Sequence, residues 1–176
     1  MGVYLNPGND NFEMICRSEI YVDKTELIKQ TNQMIGTQQR FICVSRPRRF
    51  GKSMAAYMLA AYYDKDCDSS ELFAPYKIAG DKDYEKHLNR YHVILLNIQN
   101  FLSITEYSVD AMISYLQAEV IEELREVFPE KIPEQVKNLG VALDKLYSKN
   151  KEGFIFIIDE WDCILRDKQY LSLIHI

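Results

Sequence analysis

The chain has 176 residues, and its 47% hydrophobic and 27% charged residues are typical of a folded globular domain. The net charge of −5 argues against general nucleic-acid affinity, because binding to a phosphate backbone favours a basic surface. The four cysteines form no CxxC pair, which favours free thiols over a disulfide or metal framework. No apolar run approaches the roughly 20 residues that span a bilayer, and the first residues lack a secretory-signal pattern. We therefore predict a cytoplasmic protein with no membrane partner.

The first predicted helix follows the sequence YVDKT, residues 21–25. It carries Leu27 and Ile28, and either Asp23 or Thr25 is placed to cap it. Capping is one interpretation of YVDKT, and a place near the adenine or ribose of a bound nucleotide is another.

The next two predicted elements are a strand and a helix separated by a basic loop. Residues 40–45, RFICVS, form a compact apolar run rich in β-forming residues, which predicts a buried strand. After Gly51, the sequence KSMAAYMLAAYYD is rich in alanine and predicts a helix that packs closely against a flat surface. The adjacent tyrosines Tyr62 and Tyr63 are expected in the core.

The second half of the chain alternates strands with helices in the same way. Residues 92–98 form a continuous apolar run, typical of a strand that is buried on both faces. Residues 106–128 carry apolar side chains at three- and four-residue steps and predict a long helix, and a shorter helix is predicted to start at Pro133. The run FIFII, residues 154–158, predicts a third buried strand that leads directly into Asp159.

Buried strands that alternate with helices indicate an α/β domain with a mainly parallel sheet. In such sheets, ligands bind beyond the carboxyl ends of the strands. Two unusual clusters, RPRRFGKS and DEWD, follow predicted strands at such ends. Their placement makes both clusters candidate site residues.

The first cluster resembles a phosphate-binding loop of the pattern G-x-x-x-x-G-K-[ST], with Arg46 at the position of the first glycine. Gly51 would permit close approach of a phosphate, and Lys52 would neutralise the β- and γ-phosphates. Ser53 would be a ligand of Mg²⁺. The alternative interpretation is a solvated basic turn that precedes a helix.

The second cluster is an apolar strand that ends in Asp159 and Glu160. At this position in nucleotide-hydrolysing proteins, the first carboxylate holds Mg²⁺ and the second can polarise the water that attacks the γ-phosphate. An apolar run that ends in Asp-Glu is also common at ordinary strand ends. Together with Lys52 on another predicted element, however, the pattern predicts a site for ATP and Mg²⁺.

Three motifs together, YVDKT, RPRRFGKS and IIDEWD, resemble those of the AAA-ATPase-like family of bacterial proteins, over residues from about 11 to 166. The resemblance implies a three-layer P-loop NTPase fold of the additional-strand type. RPRRFGKS is the form that the phosphate loop takes in this family. The cofactor-binding set is then Arg46, Pro47, Arg48, Arg49, Phe50, Gly51, Lys52 and Ser53.

Carried over onto this sequence, the family resemblance implies Lys52 and Glu160 as the catalytic residues. Ser53 and Asp159 then match the positions that bind the metal. It fixes no role for Asp23 or Lys24.

The last six residues, LSLIHI at 171–176, match a translation of CTG TCT CTT ATA CAC ATC, a common sequencing adapter. We therefore expect residues 1–170 to be the N-terminal part of an AAA-ATPase-like domain, truncated after the Asp-Glu strand. In this fold type an additional strand follows in the chain and inserts between the two site strands. We expect marginal stability and little or no ATPase activity for the 176 residues alone.

Three functions fit the sequence. The first is an ATPase module of a larger bacterial protein, and the second is a nucleotide-gated switch or scaffold without useful hydrolysis. The third is a nucleic-acid processing or defence protein, because a domain that resembles PD-(D/E)xK nucleases follows in many family members. In that case Arg46, Arg48 and Arg49 could contact nucleic acid. Oligomerisation is compatible with all three.

Overall fold

The computed structural model describes residues 2–45, 50–150 and 153–166. The sheet of these residues has two parallel strands, β1 (His92–Asn97) and β2 (Phe154–Asp159). Both confirm strands predicted from the sequence, and β1 is largely buried as predicted. The prediction that β2 is a buried strand is wrong in part, because Phe156 and Ile158 are 41% and 50% exposed. The described part of the chain is therefore an α/β protein with a small parallel sheet.

Helices precede, connect and follow the two strands, and a 3₁₀ turn spans Lys77–Gly80. Among the described residues, no helix has both the length and the apolar character needed to cross a membrane. In chain order the helices are α1 (Asp10–Cys16), α2 (Glu26–Met34), α3 (Lys52–Tyr63), α4 (Ser70–Phe73), α5 (Tyr84–His87), α6 (Ile98–Ile104), α7 (Val109–Val127), α8 (Leu139–Asn150) and α9 (Cys163–Arg166).

Helix α8 begins later than the start predicted at Pro133. The Asn138 side chain accepts a hydrogen bond from the N–H of Val141 at 3.1 Å, which fixes the first turn at that point. The Arg125 guanidinium donates to the carbonyl of Pro133 at 3.1 Å, as well as to those of Glu134 and Val136. These bonds hold residues 133–136 as a loop against α7, so the prediction placed the helix start too early.

The two faces of the sheet pack against different helices, because successive strand residues point to opposite sides. Ile94 and Leu96 belong to a core built with α6, α7 and α8. Val93 and Ile157 belong to a second core built with α1, α2 and α3. Helices thus lie on both sides of the sheet, which agrees with a layered α/β arrangement.

The strand predicted at residues 40–45 is wrong. Residues 41–45 have no strand conformation and are exposed, with Phe41 at 83%. A strand needs a hydrogen-bonded neighbour as well as β-forming residues. Within the described chain both edges of β1 are occupied, by β2 and by the N-terminal segment, and residues 41–45 do not pair with the open edge of β2 either.

The N-terminal segment, residues 3–6, pairs with β1 in the antiparallel direction. Leu5 lies opposite Ile94, and the N–H of Leu95 donates to the carbonyl of Tyr4 at 2.9 Å. The sequence analysis missed this pairing, since the segment is short and leads into a turn. The pairing places residues 3–6 along the edge of β1 that β2 does not occupy.

The carboxylate of Glu123 on α7 holds the same segment in place. It accepts hydrogen bonds from three successive backbone N–H groups, those of Val3, Tyr4 and Leu5, at 2.7, 3.0 and 2.6 Å. Charge-assisted bonds of this kind are stronger than neutral ones. Glu123 therefore links the antiparallel edge of β1 to the helix that covers it.

Candidate functional site

The helix α3 begins at a glycine in a left-handed backbone conformation. Gly51 has φ 77° and ψ 33°, and its carbonyl accepts the first helical hydrogen bond from Ala55 at 3.0 Å. Glycine adopts this conformation without the strain that a side chain would add. Lys52 and Ser53 form the first turn of α3, where backbone N–H groups lack intrahelical partners. The helix predicted after Gly51 is therefore confirmed, with the predicted phosphate-loop residues at its start.

Half of the predicted cofactor-binding set, Arg46, Pro47, Arg48 and Arg49, lies outside the described residues. Phe50 is described, and its side chain is 62% exposed. Its carbonyl oxygen accepts a hydrogen bond from the ammonium of Lys24 at 3.0 Å. The YVDKT segment thus contacts the loop directly in front of Gly51.

The second predicted cluster lies at the carboxyl end of β2. Asp159 is 9% exposed and lies opposite Asn97, the last residue of β1. Its Oδ1 accepts a hydrogen bond from the N–H of Glu160 at 2.9 Å. Glu160 has φ 53°, a left-handed conformation that is uncommon for a residue with a side chain. The chain therefore turns sharply at the acidic pair, before α9.

The helix α3 packs directly against β2, and it also contacts β1. Ala60 and Ala61 on its inner face are buried together with Ile157. The small alanine side chains allow the helix to approach the sheet closely, as the alanine-rich sequence predicted. The structure thereby connects the element that starts at Gly51 with the strand that ends at Asp159.

The YVDKT segment is fixed on one side by the 3₁₀ turn Lys77–Gly80. Asp23 accepts hydrogen bonds from the N–H of Thr25 at 2.8 Å and from the N–H of Lys77 at 3.1 Å. The buried hydroxyl of Thr25 accepts from the N–H of Ile78 at 3.2 Å. Burial alone would raise the pKa of Asp23, but the hydrogen bonds from Thr25 and Lys77 lower it overall. Asp23 is therefore held as a carboxylate.

The capping interpretation of YVDKT is not supported in its simple form. Thr25 occupies the N-cap position of α2, yet its side chain makes no capping hydrogen bond to that helix, and Asp23 accepts instead from the N–H of Thr25 itself. The residue that the sequence analysis left without a role, Lys24, is the one that reaches the loop. No local pattern in the sequence predicts this contact, because it joins residues 26 positions apart.

The last residues of α3 are buried, and their polar groups are hydrogen-bonded within the protein. Tyr62 and Tyr63 are almost fully buried, as predicted. The Tyr63 hydroxyl donates to the side-chain oxygen of Asn32 at 2.8 Å, and the Tyr62 hydroxyl donates to the carbonyl of Tyr84 at 2.7 Å. Burial raises the pKa of Tyr62 to about 12 and raises that of Tyr63 as well. Both hydroxyls therefore remain neutral and structural.

Fold and candidate site together define an α/β protein in which a glycine-initiated helix packs against a strand that ends in two acids. A family model described as Predicted AAA-ATPase matches residues 7–171. Because this match covers most of the chain, the protein belongs to that AAA-ATPase-like family, as its three motifs predicted. Searches of curated proteins and of solved structures gave no match.

Proposed function

We propose that this chain binds ATP together with Mg²⁺ and is the nucleotide-hydrolysing part of an ATPase. One observation carries the proposal: the helix that begins at Gly51 packs against the strand that ends at Asp159 and Glu160. Membership of a family of predicted AAA-ATPases supports it. The three-layer P-loop fold of the additional-strand type is part of the same proposal.

Lys52 and the first-turn N–H groups of α3 would bind the phosphates. The N-terminus of a helix carries a partial positive charge, so a cation there is unfavourable in the absence of an anion. Lys52 at the first position of α3 is therefore better explained by a bound phosphate than by helix stability. Gly51 adds the room that close approach of phosphate oxygens requires.

Ser53 and Asp159 would hold the Mg²⁺ ion. A hydroxyl and a carboxylate are hard oxygen ligands, and Mg²⁺ is commonly bound by one or two such groups together with substrate phosphates. The donor set of these two residues therefore fits the ion. When bound, the ion would neutralise negative charge on the phosphates. Asp159, nearly buried and fixed by the Glu160 N–H, presents a preorganised oxygen for this task.

Glu160 would act as the general base that orients and deprotonates the attacking water. Its left-handed backbone places it directly after the buried Asp159 and at the end of the sheet. The two carboxylates would thus divide the work, with Asp159 on the metal and Glu160 on the water.

The test compares Lys52→Met and Glu160→Gln in the complete chain. We expect Lys52→Met to weaken Mg²⁺-ATP binding by roughly 10- to 100-fold, because a charge-assisted hydrogen bond is lost. Glu160→Gln should retain binding and lose about 100-fold or more of any turnover, as removal of a general base does. Calorimetry and phosphate release measure the two effects. Unchanged binding in Lys52→Met, or unchanged turnover in Glu160→Gln, contradicts the proposed roles.

A second candidate, a nucleotide-gated switch without useful hydrolysis, is favoured by one observation. Residues 41–45, which lead into the loop, form no strand in the described chain. A loop that is not anchored by a strand can bind phosphates and yet fail to align them for attack. Tight Mg²⁺-ATP binding with negligible turnover in the complete protein would select this alternative. The proposed nucleic-acid contacts of Arg46, Arg48 and Arg49 lie outside the described residues and stay a prediction.

A further inference from the structure

Lys24 lies closer to the start of α3 than its place in the sequence suggests. Its ammonium donates to the carbonyl of Phe50 at 3.0 Å. A Cβ atom on Gly51 would lie 2.8 Å from the same nitrogen. The lysine therefore approaches the backbone of the loop through the space that the glycine leaves open.

The segment that carries Lys24 is anchored on the other side. The flanking residues Asp23 and Thr25 accept hydrogen bonds from the backbone of the 3₁₀ turn, through the N–H groups of Lys77 and Ile78. Lys24 lies between these two anchored residues, and its ammonium reaches the loop in front of Gly51. The residues on both sides of Lys24 are therefore held in place by hydrogen bonds.

The charge arrangement points to an anion. Lys52 is the first residue of α3, and the ammonium of Lys24 lies beside the same helix start, so two cationic residues occur at its positive end. Among the described residues, no carboxylate forms an ion pair with Lys24. Two cations gathered at one helix start are stabilised when a polyanion binds there.

We propose that Lys24 is a second phosphate-binding residue of the nucleotide site and acts beside Lys52. The inference rests on the proposed function, since it assigns to that site a residue that lies outside the phosphate loop. It gives the YVDKT motif a chemical role: Asp23 and Thr25 position the lysine, and Lys24 binds phosphate oxygens. The motif then contributes to recognition of the phosphates and not of the adenine.

The experiment uses Lys24→Met and Lys24→Arg in the complete chain, with Lys145→Met as the matched control. Lys145 is an exposed lysine on α8, so this control removes the same charge from a different helix. Calorimetry with Mg²⁺-ATP and with tripolyphosphate, which has no base, measures affinity. We expect Lys24→Met to weaken both ligands by roughly tenfold, as loss of a hydrogen bond to a charged group does. Lys24→Arg should recover most of the affinity, and Lys145→Met should match the wild type.

Ligand-free stability separates a binding role from a structural one. If Lys24 binds phosphate, Lys24→Met should unfold at about the same urea concentration as the wild type, because removal of a cation from the positive helix end offsets the loss of its hydrogen bond to the exposed Phe50. A clear loss of stability that accompanies the weaker binding would overturn the proposal, as would an effect on ATP but not on tripolyphosphate. Unchanged affinity in Lys24→Met while Lys52→Met loses binding overturns this inference alone. Absence of binding in the wild type overturns both it and the proposed function.

Discussion

The two ends of α3 use polar groups in opposite ways. At the end of the helix, Tyr62 and Tyr63 are buried, and each hydroxyl has a partner of its own within the fold. At its beginning, Gly51 is left-handed, Phe50 is exposed and Lys52 lies in a first turn that is half-buried. The two ends of this twelve-residue helix therefore differ. Its last residues, the closed end, lie in a core where the polar groups are hydrogen-bonded, and its first residues, the open end, lie at a more exposed polar surface.

The contrast shows how structural and functional polar residues can be separated without a ligand. A buried hydroxyl that is satisfied by the protein stabilises the fold, and leaving it without a partner costs free energy. A cation at a helix start, next to unsatisfied N–H groups, does nothing for the helix and is stabilised only by an anion. Substitutions at the closed end should therefore change the free energy of unfolding, and those at the open end should change binding.

The largest expected effect is at the closed end. Tyr63→Ala should lower the free energy of unfolding by about 3–5 kcal/mol, because it removes a buried aromatic ring and leaves a cavity. Tyr63→Phe keeps the ring and should lower it by about 1–3 kcal/mol, the cost of leaving the oxygen of Asn32 without its donor. Urea unfolding followed by circular dichroism measures both. No loss of stability in Tyr63→Phe would contradict the hydrogen bond from Tyr63 to Asn32.

A smaller effect is expected at the open end, from Gly51→Ala. Alanine at φ 77° should lower the free energy of unfolding by about 1–2 kcal/mol, because its Cβ crowds the backbone in a left-handed conformation. Gly36→Ala is the matched control, since Gly36 has φ 74° and nothing within 4 Å of an added Cβ. Both variants should lose similar stability, and only Gly51→Ala should lose Mg²⁺-ATP affinity. If Gly36→Ala also lost affinity, the contrast between the two glycines would fail.

The smallest expected effect concerns Asp23, and it depends on pH. Asp23→Asn should lower the free energy of unfolding by roughly 1 kcal/mol near neutral pH, since an amide cannot accept both hydrogen bonds. The pKa of folded Asp23 lies below its ordinary value of 3.8, so this stabilisation is complete above that pH. It is lost as the pH falls through the lowered folded value, where the wild-type carboxylate becomes protonated. Urea titrations from pH 6 to pH 3 should show the two curves converge, and a constant difference would contradict the assignment.

The sequence predicted those elements whose local residue pattern is sufficient to specify a strand or a helix. The runs before Asn97 and Asp159 are long and apolar enough to specify strands, and the periodicity between residues 106 and 128 specifies α7. Residues 41–45 have the same composition and yet form no strand, because pairing depends on neighbours distant in the chain. The Asp-Glu and Gly-Lys-Ser clusters are local patterns, and their proposed roles at a nucleotide site stay a prediction.

Lys24 and Glu123 could not be placed from the sequence, since their roles depend on contacts across the fold. Lys24 bonds to a residue 26 positions away, and Glu123 bonds to the N–H groups of residues 118 to 120 positions away. No local pattern encodes such distances. In the structure, the charged group of each residue lies within hydrogen-bonding distance of backbone atoms.

The antiparallel pairing of residues 3–6 with β1 determines which edge of the sheet remains unpaired. One side of β1 is closed by this segment and the other by β2, so an added strand cannot reach β1. In the described part of the chain, β2 is paired on one side only, and Phe156 and Ile158 on its face are exposed. A further strand, whether from this polypeptide or from another copy, would therefore find an unpaired edge at β2, which ends at Asp159. Sheets extend and chains associate at unpaired edges, so such a strand would lie next to the acidic pair.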